Sequence, residues 1–149
     1  MDFADEDRNL DREPGGTLRC LYCDDNIGRR RKFCSSKCSA QYNRMLYIDR
    51  WLVGLESGSD ASGELARIIK RYLQEQANDK CTKCGWGEVN PFSNKVILTI
   101  DHIDGDWTNN GVDNLAVLCY NCHTLTPTFG SLNKGKFQNG PRSVGSRRH

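Results

Sequence analysis

Eight cysteines constrain this chain more than any other feature, because they fall in four close pairs with none left over. Two or three residues separate the members of each pair, a spacing typical of tetrahedral zinc sites. Hydrophobic residues make up only 37% of the 149 residues, so one large core is not expected to stabilise the whole chain. We therefore expect two four-cysteine zinc sites to supply the missing stability. The pairs are Cys20 and Cys23, Cys34 and Cys38, Cys81 and Cys84, and Cys119 and Cys122.

The N-terminus has no basic start followed by an apolar run, so it does not have the pattern of an export signal. No stretch is long and apolar enough to predict a membrane span. These observations argue against a secreted, disulfide-bonded protein and against a membrane partner. We expect a cytoplasmic, reducing setting in which the thiolates bind metal.

Charge is unevenly distributed, although the formal net charge is only +2. Residues 1–17 are mainly acidic and predict a disordered leader, whereas residues 134–149 carry no acidic residue and predict a basic, disordered tail. Another basic run lies between the first two cysteine pairs. Basic clusters suit the phosphate backbone of a nucleic acid, but a solvated surface explains each run equally well. The candidate phosphate-contacting residues are Arg29, Arg30, Arg31, Lys32, Lys134 and Lys136.

Residues 18–55 are predicted to form a zinc knuckle followed by one helix. The first cysteine pair is expected in a turn, the basic run in a short returning strand, and the second pair at the start of a helix capped by Ser35 or Ser36. Apolar residues after Cys38 recur at helical spacing as far as about Gly54. This segment resembles a treble-clef-like zinc knuckle.

Residues 56–63 are rich in serine and glycine and predict a flexible linker between two halves of the chain. A second helix is expected to follow, since Ser62 is a candidate cap and Glu64 suits a first turn. Leucine, isoleucine and tyrosine then recur on one face of the predicted helix.

Two short strands and a helix are predicted next. Residues 95–100 are rich in β-branched side chains, and residues 115–118 form a short apolar run. Turn residues at 108–111 separate the two strands. A short helix is expected to begin at Cys119 and to run to about Leu125, just before a proline.

This part of the chain concentrates groups that bind metals and transfer protons, including two of the three histidines. Asp101 and His102 end the first predicted strand, Asn114 precedes the second, and His123 follows the last cysteine. A neutral imidazole, with a reference pKa of about 6.5, is suited to accept a proton from water. Carboxylate and imidazole groups also bind divalent cations. Neighbours on a helix point about 100° apart, so Cys122 and His123 are expected to serve different metals.

These motifs, taken in order, resemble the HNH endonuclease family over about residues 72–133. The resemblance implies a small, zinc-stabilised α+β protein, with a ββα-metal nuclease domain at residues 64–133 preceded by the zinc knuckle and connecting helices. The run C-H-T-L-T-P-T-F-G-S-L-N is similar to the end of small HNH proteins encoded by phages. The matching motifs are Cys81-x2-Cys84, Asp101-His102, Asn114-Leu115 and Cys119-x2-Cys122-His123.

The resemblance implies metal-dependent hydrolysis of DNA phosphodiester bonds, as a nick or a double-strand break. His102 would be the general base, Asp101 and His123 would bind a catalytic Mg²⁺, Mn²⁺, Ni²⁺ or Zn²⁺ ion, and Asn114 would position the loop that presents His102. DNA is the implied partner, with phage packaging or replication proteins as further candidates, for a monomer or dimer in the host cytoplasm. One structural zinc is assigned to Cys81, Cys84, Cys119 and Cys122, and a second to Cys20, Cys23, Cys34 and Cys38.

Several alternatives remain open from the residues alone. The chain could be a non-catalytic, zinc-dependent nucleic-acid-binding module or a packaging or replication accessory protein. His123 could complete a zinc site with three cysteines and leave Cys122 spare, and His102 could be a structural loop residue. Asn133 is a candidate contact to metal or DNA, while Trp107 could stack on a sugar or base or could simply cover the loop.

Overall fold

A computed structural model describes residues 18–28 and 31–133 of the chain. The predicted leader at residues 1–17 and the predicted tail at residues 134–149 lie outside the described residues. Residue contacts divide the chain into two units between Tyr47 and Ile48. Within the described ranges, no helix has both the length and the apolar character needed to span a membrane.

The first unit begins with a small hairpin, in which β1 (Leu18–Arg19) pairs antiparallel with β2 (Asn26–Ile27). We predicted the returning strand in the basic run, but it lies earlier in the chain. Asp24 adopts a left-handed backbone with φ of 62°, which closes the turn early enough for β2 to pair before the basic residues begin. Lys32 then contacts the turn through its carbonyl, which accepts a hydrogen bond from the Leu21 amide at 3.0 Å.

Helix α1 (Ser36–Leu52) starts in the first unit and ends in the second. The Ser35 hydroxyl accepts a hydrogen bond from the Cys38 amide at 3.2 Å, as expected of a capping side chain. The predicted end near Gly54 is correct to within two residues, since Gly54 adopts a φ of 77° just after the helix. At the C-terminal end of α1, the Trp51 side chain is buried in the second unit.

Helix α2 (Arg67–Gln76) begins later than predicted. Ser62 does not cap it, because its hydroxyl donates to the Asp60 carboxylate at 2.6 Å. Glu64 also precedes the helix, and Leu65 forms an isolated antiparallel bridge instead. Once the helix begins, Ile69 on its predicted apolar face is completely buried, whereas Ile68 is exposed.

Residues 56–63, predicted as a flexible linker, make specific contacts within the second unit. Gly58 lies so close to Trp51 that an added Cβ would come within 2.6 Å of the indole Nε1. Ser59 bridges to Leu65, and its hydroxyl accepts a hydrogen bond from Asn110 at 2.9 Å. This close packing requires small residues, a requirement that the composition alone does not distinguish from flexibility.

The predicted strand at residues 95–100 is divided into two strands, because its halves pair with different partners. β4 (Lys95–Val96) pairs with β3 (Val89–Asn90), whereas β5 (Thr99–His102) pairs antiparallel with β6 (Leu115–Leu118). The predicted strand at 115–118 is therefore confirmed. In the β5–β6 pair, Asp101 lies opposite Ala116 and His102 lies opposite Leu115.

Helix α3 (Tyr120–Thr124) follows β6 after one residue and contacts both β5 and β6. It has the predicted position, with Cys119 as its N-cap and Leu125 as its C-cap. Short 3-10 helices lie at Val112–Asn114 and Gly130–Asn133. A small core beside α3 consists largely of cysteines, with Leu118 packed among Cys81, Cys119 and Cys122. The described chain is thus a small α+β protein with short strands and few helices.

Candidate metal centres and catalytic site

The first four cysteines converge in the first unit, and their sulfur atoms all lie within 4.8 Å of one another. The Cys34 sulfur is 3.5 Å from that of Cys23 and 3.3 Å from that of Cys38. Thiolates bound tetrahedrally to zinc at about 2.3 Å stand about 3.8 Å apart. The cluster of Cys20, Cys23, Cys34 and Cys38 therefore has nearly the size and the donor set of a zinc site.

The second cluster lies between α3 and a knuckle at residues 81–84, which is hydrogen-bonded to β6. The sulfur atoms of Cys84 and Cys119 are 3.8 Å apart, the separation expected around zinc. Thr82 ties the knuckle to β6, because both its amide and its hydroxyl donate to the Val117 carbonyl, at 2.8 and 3.0 Å. This cluster consists of Cys81, Cys84, Cys119 and Cys122, and all of them except Cys84 are buried.

The thiols within each cluster differ strongly in acidity. Burial raises the pKa of Cys81, but backbone N–H groups, chiefly those of Cys119 and Cys84, outweigh this effect and lower it to about 6. Hydrogen bonding with Cys84, together with burial, raises the pKa of Cys122 to about 12. In the first cluster, backbone N–H groups likewise lower the pKa of Cys20 to about 6 against the effect of burial. Such crowded sulfurs cannot all be thiolates without a cation between them, which is the condition that a zinc ion satisfies.

Asp101 and His123 form a separate pair. The Asp101 Oδ1 lies 3.3 Å from the His123 Nε2, and the two side chains are only 12% and 25% exposed. Two adjacent ligands of an octahedral cation, with bonds of about 2.1 Å, stand about 3.0 Å apart. The Asp101 and His123 pair therefore has a spacing close to that of two ligands on one divalent ion.

The ring of His123 packs against Phe129 and meets Asp101 through one of its two nitrogens. Phe129 meets the imidazole edge-on, with ring centroids 5.0 Å apart and an interplanar angle of 90°. The Nδ1 of His123 is buried and has no hydrogen-bond partner within the described part of the chain. Nε2, which points toward Asp101, is therefore the ring nitrogen placed to bind a metal together with that carboxylate.

Asn114 holds the loop that begins directly after His102. Its Oδ1 accepts from the Asp104 amide at 3.0 Å, and its Nδ2 donates to the Asp104 carboxylate and to the Asn109 carbonyl, both at 2.8 Å. The Asn114 carbonyl also accepts from the Ile103 amide at 2.9 Å. Burial raises the pKa of Asp104, but hydrogen bonds, including those from Asn109 and Asn114, hold it below its ordinary value.

His102 contacts Asn110, which was predicted only as part of a turn. The Nε2 of His102 lies 2.8 Å from the Oδ1 of Asn110, which is only 2% exposed. The Nδ2 of Asn110 donates to the Ser59 hydroxyl, and its carbonyl accepts from the Trp51 indole at 2.7 Å. Nothing local in the sequence marks Asn110, because Asn109 suits the turn equally well and the Ser59 partner lies 51 positions away.

An open cleft of about 450 Å³ lies beside His102. Helix α2 contributes Lys70 and Gln74 to its lining, and the loop after β5 contributes Trp107. Asp101 is not part of this lining, since successive residues of a strand point to opposite faces. Because β5 ends at His102, the Asp101 and His102 side chains flank the end of the strand from its two faces.

The predicted phosphate contacts are only partly described. Arg31 and Lys32 are exposed in the first unit. Trp107 is 43% exposed at the cleft. The side chain of Asn133 lies outside the described residues. So do Arg29, Arg30, Lys134 and Lys136.

A curated relative supports the motif resemblance. The H-N-H endonuclease F-TflIV of Escherichia phage T5 is 46% identical to this chain over 59 residues, which make up 39% of this chain and 25% of the relative. The chain thus spans about a quarter of the length of the curated relative that it matches. No family model and no solved structure matches the chain. The similarity to a named H-N-H endonuclease confirms that this chain resembles the HNH endonuclease family.

Proposed function

We propose that this chain is a metal-dependent HNH endonuclease that hydrolyses DNA phosphodiester bonds. The main support for the proposal is the half-buried pair of Asp101 and His123, in which Oδ1 and Nε2 are 3.3 Å apart. Asp101 directly precedes His102 at the end of β5. The phage relative is named as an H-N-H endonuclease, which supports the same reaction class. In this proposal, β5, β6 and α3 form the ββα-metal unit of the nuclease domain.

Asp101 and His123 are the proposed ligands of the catalytic cation. Their carboxylate and imidazole donors suit Mg²⁺, Mn²⁺, Ni²⁺ or Zn²⁺. When bound, the cation stabilises the negative charge that develops on the phosphate and on the leaving oxygen. Two protein ligands alone would leave room for substrate and water to bind the same ion.

His102 is the proposed general base, which accepts a proton from the attacking water. Its place at the end of β5 exposes one side of the ring to the cleft that Lys70 and Trp107 also line. Asn114 supports this arrangement, because its amide fixes the first residues of the loop after His102. Lys70 and Trp107 offer the cleft a cation and an aromatic face for the DNA strand.

The two cysteine clusters are proposed to hold structural zinc ions, distinct from the catalytic cation. Each cluster supplies four sulfur ligands and leaves no position for substrate. In the second unit, the cysteines themselves form much of the small core beside Leu118, so a zinc ion there would replace apolar packing.

DNA is the proposed partner in the host cytoplasm, and phage packaging or replication proteins are further candidates. One copy at a site would nick one strand, and two copies would break both. A non-catalytic nucleic-acid-binding module remains the second candidate function. The position of His123 favours catalysis, since binding a phosphate backbone needs no half-buried imidazole beside a carboxylate.

Cleavage of supercoiled plasmid with Mg²⁺ or Mn²⁺ tests the proposal. We expect the wild-type protein to nick or linearise the plasmid, and His102→Ala to be slower by roughly 10²- to 10⁴-fold. Equal zinc contents would show that both proteins retain their folded clusters. Plasmid left equally intact by wild type and variant with every metal would contradict the nuclease function.

A further inference from the structure

A buried amide links the proposed general base to a distant part of the chain. Asn110 is only 2% exposed, and a buried amide without hydrogen-bond partners is costly. Its side-chain oxygen lies 2.8 Å from the His102 Nε2, and its nitrogen donates to Ser59 at 2.9 Å. Its main-chain carbonyl accepts from Trp51 at 2.7 Å. The contacts therefore fix both the side chain and the backbone of Asn110.

The chemistry of the amide determines which ring nitrogen of His102 carries the proton. A carboxamide oxygen only accepts hydrogen bonds, so the Nε2 facing it must carry a hydrogen and donate. In a neutral imidazole the other nitrogen, Nδ1, then holds the lone pair. Nδ1 is therefore the atom that is able to accept a proton from water.

The residues that hold Asn110 precede the region of the HNH motifs. Trp51 lies near the end of α1, and Ser59 lies in the segment between α1 and α2. Gly58 allows this segment to approach the indole of Trp51 closely, because a side chain there would collide with Nε1. The surroundings of His102 are thus completed by residues outside the 72–133 range.

We infer that Asn110 is a positioning residue for His102. It holds the imidazole in the Nε2–H tautomer and leaves Nδ1 as the proton acceptor, while Ser59 and Trp51 hold Asn110 itself. The catalytic consequence rests on the proposed nuclease function. The hydrogen bond and the tautomer do not depend on that function, so they can be measured without DNA cleavage.

Nitrogen NMR of the zinc-loaded, full-length protein labelled with ¹⁵N-histidine tests the inference. The chain has three histidines, and His102→Ala identifies the signals of His102. We expect the wild-type protein to show His102 as the Nε2–H tautomer. An Nδ1–H tautomer in the wild type would mean that the Asn110 amide is turned over, and it would overturn the inference without any other variant.

Asn110→Ala provides the second measurement. We expect a mixture of His102 tautomers and a 10- to 100-fold lower kcat on saturating DNA, with a much smaller change in KM, as is typical when an orienting hydrogen bond is lost. Asn109→Ala is the matched control, because it alters the same loop without touching His102. Trp51→Phe removes the bond to the Asn110 carbonyl together with part of the buried indole. It should lower stability, but it leaves the side-chain contacts of Asn110 with His102 and Ser59 in place, so we expect the tautomer to be unchanged.

The outcomes separate the inference from the proposed function. If the Asn110→Ala protein binds its full zinc but keeps both the wild-type tautomer and the wild-type kcat, Asn110 does not position His102. If the wild-type protein cleaves no DNA but shows the Nε2–H tautomer that Asn110→Ala loses, the positioning contact stands and the nuclease function fails.

Discussion

Cys122 and His123 are neighbours on α3, yet Cys122 belongs to a cysteine cluster and His123 belongs to the pair with Asp101. The Cys122 sulfur joins three other cysteines, whereas the His123 Nε2 lies 3.3 Å from the Asp101 carboxylate. One helical step of about 100° is sufficient to separate them. This differs from the alternative in which His123 completes a zinc site and Cys122 is spare. A single step along a short helix thus places a proposed structural ligand beside a proposed catalytic one.

Cys122→Ser should reduce the zinc content from two ions per chain to one. The variant leaves three sulfurs in a cluster that also forms the core beside Leu118, so the second unit should lose much of its stability. Elemental analysis and thermal unfolding of the same preparation measure both effects. Two zinc ions per chain with an unchanged Tm would argue against Cys122 as a zinc ligand.

Cys20→Ser should remove the other zinc ion and leave the cleavage chemistry intact. The two cysteine clusters lie in different contact units, divided between Tyr47 and Ile48. We expect weaker DNA binding, because exposed Arg31 and Lys32 lie in the unit that would lose its metal. Measuring turnover on saturating DNA separates the effect on DNA affinity from any effect on the cleavage step. A complete loss of turnover on saturating DNA would show that the two units do not act separately.

Gly58→Ala should destabilise the protein through its contact with Trp51. The new Cβ would lie 2.6 Å from the indole Nε1 of Trp51, and the φ of 75° is unfavourable for any residue with a side chain. Overpacking costs about 1–3 kcal/mol and the backbone conformation roughly 1–2 kcal/mol more. Urea unfolding measures the change. Gly54→Ala is the control, since Gly54 has a similar φ of 77° but open space around it. Equal losses in the free energy of unfolding of the two variants would mean that Gly58 is not packed tightly against Trp51.

Asn114→Ala should raise the pKa of Asp104 toward its ordinary value. Hydrogen bonds, including those from Asn109 and Asn114, hold the pKa of Asp104 low in the folded protein despite burial. Because the folded value lies below the unfolded one, ionised Asp104 stabilises the loop above the unfolded value, and this contribution is lost as the pH falls through the folded pKa. Carboxyl ¹³C NMR of both proteins follows the titration. Identical titration curves would show that Asn114 does not stabilise the ionised Asp104.

Local patterns predicted which cysteines come together. Each cysteine pair is close in sequence, so its spacing alone indicates a shared site, and the structure brings both sets of four together. The β6 strand was also predictable from the apolar run at residues 115–118, and the end of the short helix after it from Pro127. In these cases, the interactions that decide the structure lie within a few residues of one another.

The errors arose where a distant or competing partner decides the structure. Ser62 has the chemistry of a helix cap, but Asp60 binds its hydroxyl. Ser59 belongs to a segment whose composition suggests a flexible linker, yet it holds Asn110 across 51 positions. The side chain of Asn110 could be placed beside His102 only once the packing of Trp51 was known. No local spacing rule encodes such contacts.

His123→Ala tests most directly whether the cysteine cluster that contains Cys122 is separate from the Asp101 and His123 pair. Zinc content and plasmid cleavage are measured on one preparation. We predict two zinc ions per chain, as in wild type, and a loss of cleavage with Mg²⁺ or Mn²⁺, because the variant removes a catalytic ligand and leaves all eight cysteines in place. A variant with only one zinc ion, or one with full zinc that still cleaves plasmid at the wild-type rate, would contradict the account.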